Sequence, residues 1–146
     1  MSEAPSTGDS FDPKVLLDLV GMVGHHGAIG LRYVGHGEDW VEMALPYDEK
    51  LVGVEETGVI ASGPIISLMD TCTSLSIWVK QGGFRPQATL DLRIDYLRPA
   101  TPGQTIIGRG ECYAVKRSIS FVRGVAHQGD PADPVANVAA TFMFTD

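Results

Sequence analysis

Residues 57–80 read TGVIASGPIISLMDTCTSLSIWVK, and this stretch decides the fold. It opens on small residues and Pro64, and Gly82-Gly83 follow just past its end. Small residues near an N-cap, proline in the first turn and glycine past the last turn are the punctuation of a helix. The start is therefore expected at Ser62 or Gly63. Ile65, Leu68, Met69, Cys72, Leu75, Ser76 and Val79 fall on one stripe at three- and four-residue spacing, and Ile66 and Ile77 add apolar surface elsewhere. A helix so apolar all round is expected in a core. One carboxylate, Asp70, sits in its middle. An ionised group there needs partners or a task, because uncompensated burial costs several kcal/mol.

Outward from this helix the chain reads as strands. Towards the C-terminus, Ala88 to Leu97 alternates Leu90, Leu92, Ile94 and Tyr96 against Thr89, Asp91, Arg93 and Asp95, the pattern of a half-buried strand. Gln104 to Val115 follows, with Gly108 and Gly110 allowing a bulge or the close approach of another element. Ser118 to His127 and Val135 to Phe144 complete a run of four. Towards the N-terminus, Ala28 to Val34 and Asp39 to Leu45 are predicted strands joined by a Gly35-His36-Gly37 turn. Residues 46–61 read as an irregular acidic connection containing Glu55 and Glu56. A short amphipathic helix is predicted from Asp12 or Pro13 through Val15, Leu16, Leu19, Val20 and Val23. Residues 1–10 read as a disordered tail and 11–146 as one domain. Consecutive strands with short turns imply an antiparallel sheet, which must wrap the single long helix: an α+β architecture.

The chain has 146 residues and a formal charge of −7, with 44% hydrophobic residues. Those values suit a soluble globular domain able to bury a core. The negative balance argues against a general nucleic-acid binder, which needs a basic face for phosphates. No apolar run approaches the roughly 20 residues of a membrane span, and the N-terminus lacks the pattern of a signal peptide. Cys72 and Cys112 form no disulfide framework and read as reduced thiols of a cytoplasmic protein. His25, His26, His36 and His127 have no zinc-like spacing and read as loop or surface residues, so no metal is expected.

In Gly58 to Thr71, with Asp-Thr at 70–71, and in Asp95-Tyr96-Leu97-Arg98-Pro99-Ala100, the chain resembles the hotdog fold. It looks most like the small acyl-CoA thioesterases related to the phenylacetate-pathway enzyme. The resemblance covers roughly residues 13–145 and implies a long helix wrapped by about five or six antiparallel strands. In that family the entry to the helix usually reads His-Gly-Gly, with a catalytic Asp or Glu further along. Here the triplet falls on Ala61-Ser62-Gly63, so the usual histidine is an alanine and the first glycine a serine. The asparagine often found upstream falls near Glu55.

Thioester hydrolysis needs a nucleophile or base and a home for the oxyanion. A carboxylate, ordinarily of pKa about 3.9, is ionised at neutral pH, so Asp70 could attack the carbonyl or deprotonate a water. A departing thiolate, with an ordinary thiol pKa near 8.5, needs little help from an acid, so such a site can work without a histidine. The oxyanion's expected home is the helix start, where free N–H groups and the dipole favour negative charge. By family resemblance the donor is the N–H of Ser62, with Gly63 beside it.

Ser62 and Asp70 stand eight residues apart, about 12 Å along a helix at 1.5 Å per residue, too far for one carbonyl. An antiparallel pair of helices in a homodimer would bring one chain's Asp70 to the other's Ser62. The family resemblance likewise implies dimers or dimers of dimers, an acyl-CoA substrate and no cofactor beyond the coenzyme A it carries. Weaker candidates are Ser74, one turn beyond Asp70, whose hydroxyl could instead bond its own helix, and Thr89, where relatives carry a serine or threonine near the nucleophile. Arg98, Lys116 and Arg117 are candidates to pair coenzyme A phosphates, against the alternative of solvated surface charge. Rival readings are a non-catalytic acyl-CoA-binding module and a hotdog dehydratase or hydratase. The latter is disfavoured by the lack of any histidine near the helix in sequence.

Overall fold

The computed structural model describes residues 12, 14–16, 18 and 23–146. The predicted tail and much of the predicted first helix lie outside them; Lys14 to Leu16 and Asp18 are helical. The elements are α1 (Gly24–Ile29), β1 (Arg32–His36), β2 (Trp40–Leu45), a 3-10 turn (Glu49–Leu51), β3 (Val52–Val54), β4 (Val59–Ile60) and α2 (Ser62–Gln81). Strands β5 (Gln87–Tyr96), β6 (Ile106–Val115), β7 (Ile119–His127) and β8 (Ala136–Phe144) follow. Six strands form one antiparallel sheet in the order β1-β2-β6-β7-β8-β5, and β3 and β4 pair separately. Among the described residues no helix is long and apolar enough to cross a membrane.

The long helix lies across the concave face of this sheet, and the expected hotdog architecture is what the chain adopts. Leu68, Met69, Cys72 and Ile77 of α2 are fully buried against Val41, Met43, Ile106, Cys112 and Val122. Thr71 and Thr73 are buried as well, because each hydroxyl donates to a helix carbonyl, Ser67 O at 2.7 Å and Met69 O at 2.6 Å. Gly108 and Gly110 permit the close approach foreseen for them. A Cβ on Gly110 would stand 2.7 Å from the Cys72 backbone, and one on Gly108 2.8 Å from Leu68 Cγ.

Four expectations change. The strand predicted over Ala28 to Val34 begins as helix α1, ends at Gly30 in the left-handed region (φ 83°) and turns extended only at Arg32. The connection 46–61 holds the 3-10 turn and the small β3-β4 ribbon. Strand β5 is an edge, so half its apolar pattern stays open: Leu90 is 54% and Tyr96 44% exposed. Of the histidines read as loop or surface residues, His25 is exposed, but His127 is buried, His36 lies in β1 bonded to Tyr33, and His26 is half-buried in α1.

Candidate active site

Helix α2 begins without a cap. Ala61 is the N-cap residue and supplies no side-chain hydrogen bond, where serine or aspartate would satisfy a free N–H. Ser62 and Gly63, expected near the cap, are the first two helical residues, and both are exposed. Their side of the molecule opens into a cavity of about 440 Å³ lined by Ser62, Ile65, Tyr96, Leu97, Arg98 and neighbours. Tyr96 Oη donates to the Ser62 carbonyl at 3.2 Å, and burial raises its phenol's pKa. The exposed N–H groups and the helix dipole make this end a place for developing negative charge.

Asp70 occupies a second cavity, of about 320 Å³, lined by Thr71, Ser74, Leu75, Trp78, Gln87, Thr89, Phe142 and His26, among others. The carboxylate is half-buried rather than enclosed by apolar neighbours. Its Oδ1 accepts a 2.7 Å hydrogen bond from the Thr89 hydroxyl. That contact depends on an irregularity in β5. Strict alternation with Leu92 and Ile94 facing the helix would turn Thr89 outward with Asp91. The register instead steps from Thr89↔Phe142 to Asp91↔Thr141, leaving Leu90 as an extra residue, a bulge that swings Thr89 to the helix side.

The other candidates scatter. Ser74 lines the cavity, but its hydroxyl donates to the Thr71 carbonyl at 2.9 Å and not to Asp70. Arg98 is held by Asp133 at 3.3 Å and by the Pro99 and Asp133 carbonyls. Glu55 is exposed beside β3, on a cleft with Tyr47 and Lys50. Lys116 and Arg117 are exposed after β6 and line neither cavity. Burial raises the thiol pKa of both Cys72 and Cys112, which lie in the core as unreactive thiols. Among the described residues no cluster of side chains could hold a metal ion.

Two groups escaped the sequence reading. Gln87 donates from Nε2 to the Ser74 carbonyl at 2.8 Å, closing the floor beside Asp70. The histidine pair, read as loop or surface, packs on the helix: His25 Nε2 lies 2.8 Å from Ser67 Oγ, and His26 lines the Asp70 cavity. The lack of a nearby histidine therefore no longer counts against hydratase chemistry. Nothing in the spacing of His25 and His26 from Asp70 announces this contact, since sheet closure alone brings the segments together.

A long helix in the curve of a six-stranded antiparallel sheet, with a carboxylate on that helix, defines a hotdog-fold protein. The chain belongs to the thioesterase superfamily, whose profile matches residues 57–135. Over 91% of its length it is similar to a Pseudomonas aeruginosa protein of known structure, with 36% identity, 96% of that chain covered and a TM-score of 0.79. Two more distant structures share the fold. A thioesterase from Haemophilus influenzae has 19% identity, 94% and 93% coverage of the two chains and a TM-score of 0.81. The PaaI protein of the Escherichia coli phenylacetic acid degradation operon has 14% identity, 82% and 83% coverage and a TM-score of 0.72. No curated protein sequence matches this chain.

Proposed function

We propose that the protein is an acyl-CoA thioesterase that hydrolyses small or medium acyl-CoAs, aromatic ones included, to the free acid and coenzyme A. The single observation that carries the reading is Asp70 held by Thr89 in a cavity on a helix whose start is left uncapped. Asp70 attacks the thioester carbonyl or takes a proton from the attacking water. The oxyanion is received by the Ser62 N–H, with Gly63 beside it, and the thiolate leaves.

The two halves of this machinery lie at opposite ends of β5: Thr89 near its start holds Asp70, and Tyr96 at its end holds Ser62. Strand β5 is a ten-residue edge with Leu90 and Tyr96 exposed, and Leu97 just past its end is exposed too. Such an edge is a template for another strand. Antiparallel pairing of β5 with its copy lays the start of one beside the end of the other, so each Asp70 faces the Ser62 amide of the second chain. The active unit is then a homodimer with two shared sites, alone or within a dimer of dimers.

Thiol release from a panel of acyl-CoAs tests the activity, and complementation tests the sharing. Asp70→Asn removes the carboxylate, and Ser62→Pro removes the N–H at a first-turn position where proline is tolerated. Each variant alone should be inactive, whereas co-refolded mixtures should regain turnover through mixed dimers that hold one intact site. Mixtures as silent as the parents would refute the shared site. Micromolar binding of acyl-CoAs without turnover would favour the binding-module reading. One observation, His26 in the Asp70 cavity, keeps a second chemistry in play. Hydration of an enoyl thioester faster than any hydrolysis would favour a hydratase.

A further inference from the structure

Among the described residues, ten line the Asp70 cavity, and two of them, Asp70 and His26, carry acid–base side chains. His26 is half-buried at the last turn of α1, and its place is well fixed. Its carbonyl accepts from the N–H groups of Gly30 and Leu31 at the left-handed cap. Its neighbour His25 clasps Ser67, one turn ahead of Asp70 on α2, at 2.8 Å. His26 therefore enters the Asp70 cavity from an element remote in sequence, while Ala61 offers only a methyl at the helix entry.

We propose that His26 is a further catalytic residue of this site, the group that receives the proton of the attacking water; the proposal rests on the thioesterase reading. In the step, the water oxygen bonds to the thioester carbon as neutral His26 takes the water's proton, directly or by way of Asp70. The tetrahedral intermediate then breaks its carbon–sulfur bond, and the electron pair leaves with the thiolate. The imidazolium, in the same cavity as the Asp70 carboxylate, returns its proton to that thiolate. Acid and thiol are released, and neutral His26 is restored. Imidazole suits this task because a base works best when its pKa lies near the operating pH.

The charged and titratable groups around His26 are few. Among the described residues, Asp70 of α2 lines the same cavity, and His25 stands beside His26 on α1 with ring centroids 5.9 Å apart. The contributions from β5 and β8, namely Gln87, Ala88, Thr89 and Phe142, are uncharged.

The test is the pH dependence of kcat/KM for an acyl-CoA that the wild type hydrolyses, measured for wild type, His26→Gln and His26→Ala. The wild type should lose activity on acidification across the range where imidazoles titrate. His26→Gln, which keeps polarity and size but accepts no proton, should fall about 10²-fold or more at neutral pH and lose that acid limb. Exogenous imidazole should restore part of the rate of His26→Ala and none of the rate of Asp70→Asn. A His26→Gln enzyme within threefold of wild type, or one that keeps the acid limb, overturns the assignment and leaves the thioesterase reading standing. A wild type silent on every acyl-CoA overturns both. Should both variants fail to fold, a wild-type profile without an acid limb in the imidazole range is still enough to refute it.

Discussion

At the scale of single residues, Thr89 carries the sharpest expectation. Its hydroxyl donates to an ionisable carboxylate at 2.7 Å, and bonds to charged groups are worth about 1.5–3 kcal/mol. Thr89→Ala should therefore lower kcat/KM roughly tenfold to a hundredfold and lower the unfolding midpoint with it, while Thr89→Ser retains most activity and stability. His127 makes a different prediction. Burial lowers its pKa, and its Nδ1 accepts the Gly129 N–H at 3.1 Å, an arrangement that needs the neutral ring. The unfolded chain protonates this histidine at about pH 6.5, and the folded one only further down. Its contribution to stability is thus complete above that value and is lost as pH falls through the folded-state pKa. Urea midpoints should decline as pH falls below about 6.5, and His127→Gln should flatten the decline.

At the scale of elements, the uncapped start of α2 sets stability against function. Ala61→Asp should satisfy a free N–H, raising stability by about 0.5–2 kcal/mol while occupying the donors that an oxyanion needs. Higher thermal stability with lower turnover is the expected pair of results; unchanged turnover would remove the helix start from the mechanism. The helix and the four strands after it were legible because their apolar spacing is regular and their ends are marked by glycine and proline. Helix α1 was not, because Ala28 to Val34 alternates well enough to pass for a strand, and only Gly30 in its left-handed cap divides it. Asp70 stood out as the lone acid in an apolar run. The side on which Thr89 falls was hidden, since a bulge breaks the very alternation from which sidedness is read. His26 and Gln87 were hidden for another reason: their partners lie far along the chain, and only closure of the sheet brings them to Asp70.

At the scale of the whole molecule, the proposed site is divided between two copies, and assembly is left to join its halves. Activity per chain should fall on dilution in step with dissociation measured by sedimentation, and Leu97→Lys at the end of the β5 edge should shift both curves together. Activity that stays proportional to concentration after the copies have separated would contradict the divided site. On the outer face of the sheet Arg109 stacks 4.0 Å over Trp40 and is bonded to Glu42 at 2.6 Å, a pairing within one copy.

Leu90 matters beyond the single contact it enables. Residues along a strand point left and right in turn, and one surplus position resets that count. Ahead of the reset lie the groups that handle the acid; behind it lie the leucine and isoleucine that seal the interior. Without the reset the two sets would point away from each other, and a strand could serve the core or the chemistry but not both. One leucine out of phase lets ten residues do the two jobs on the same side.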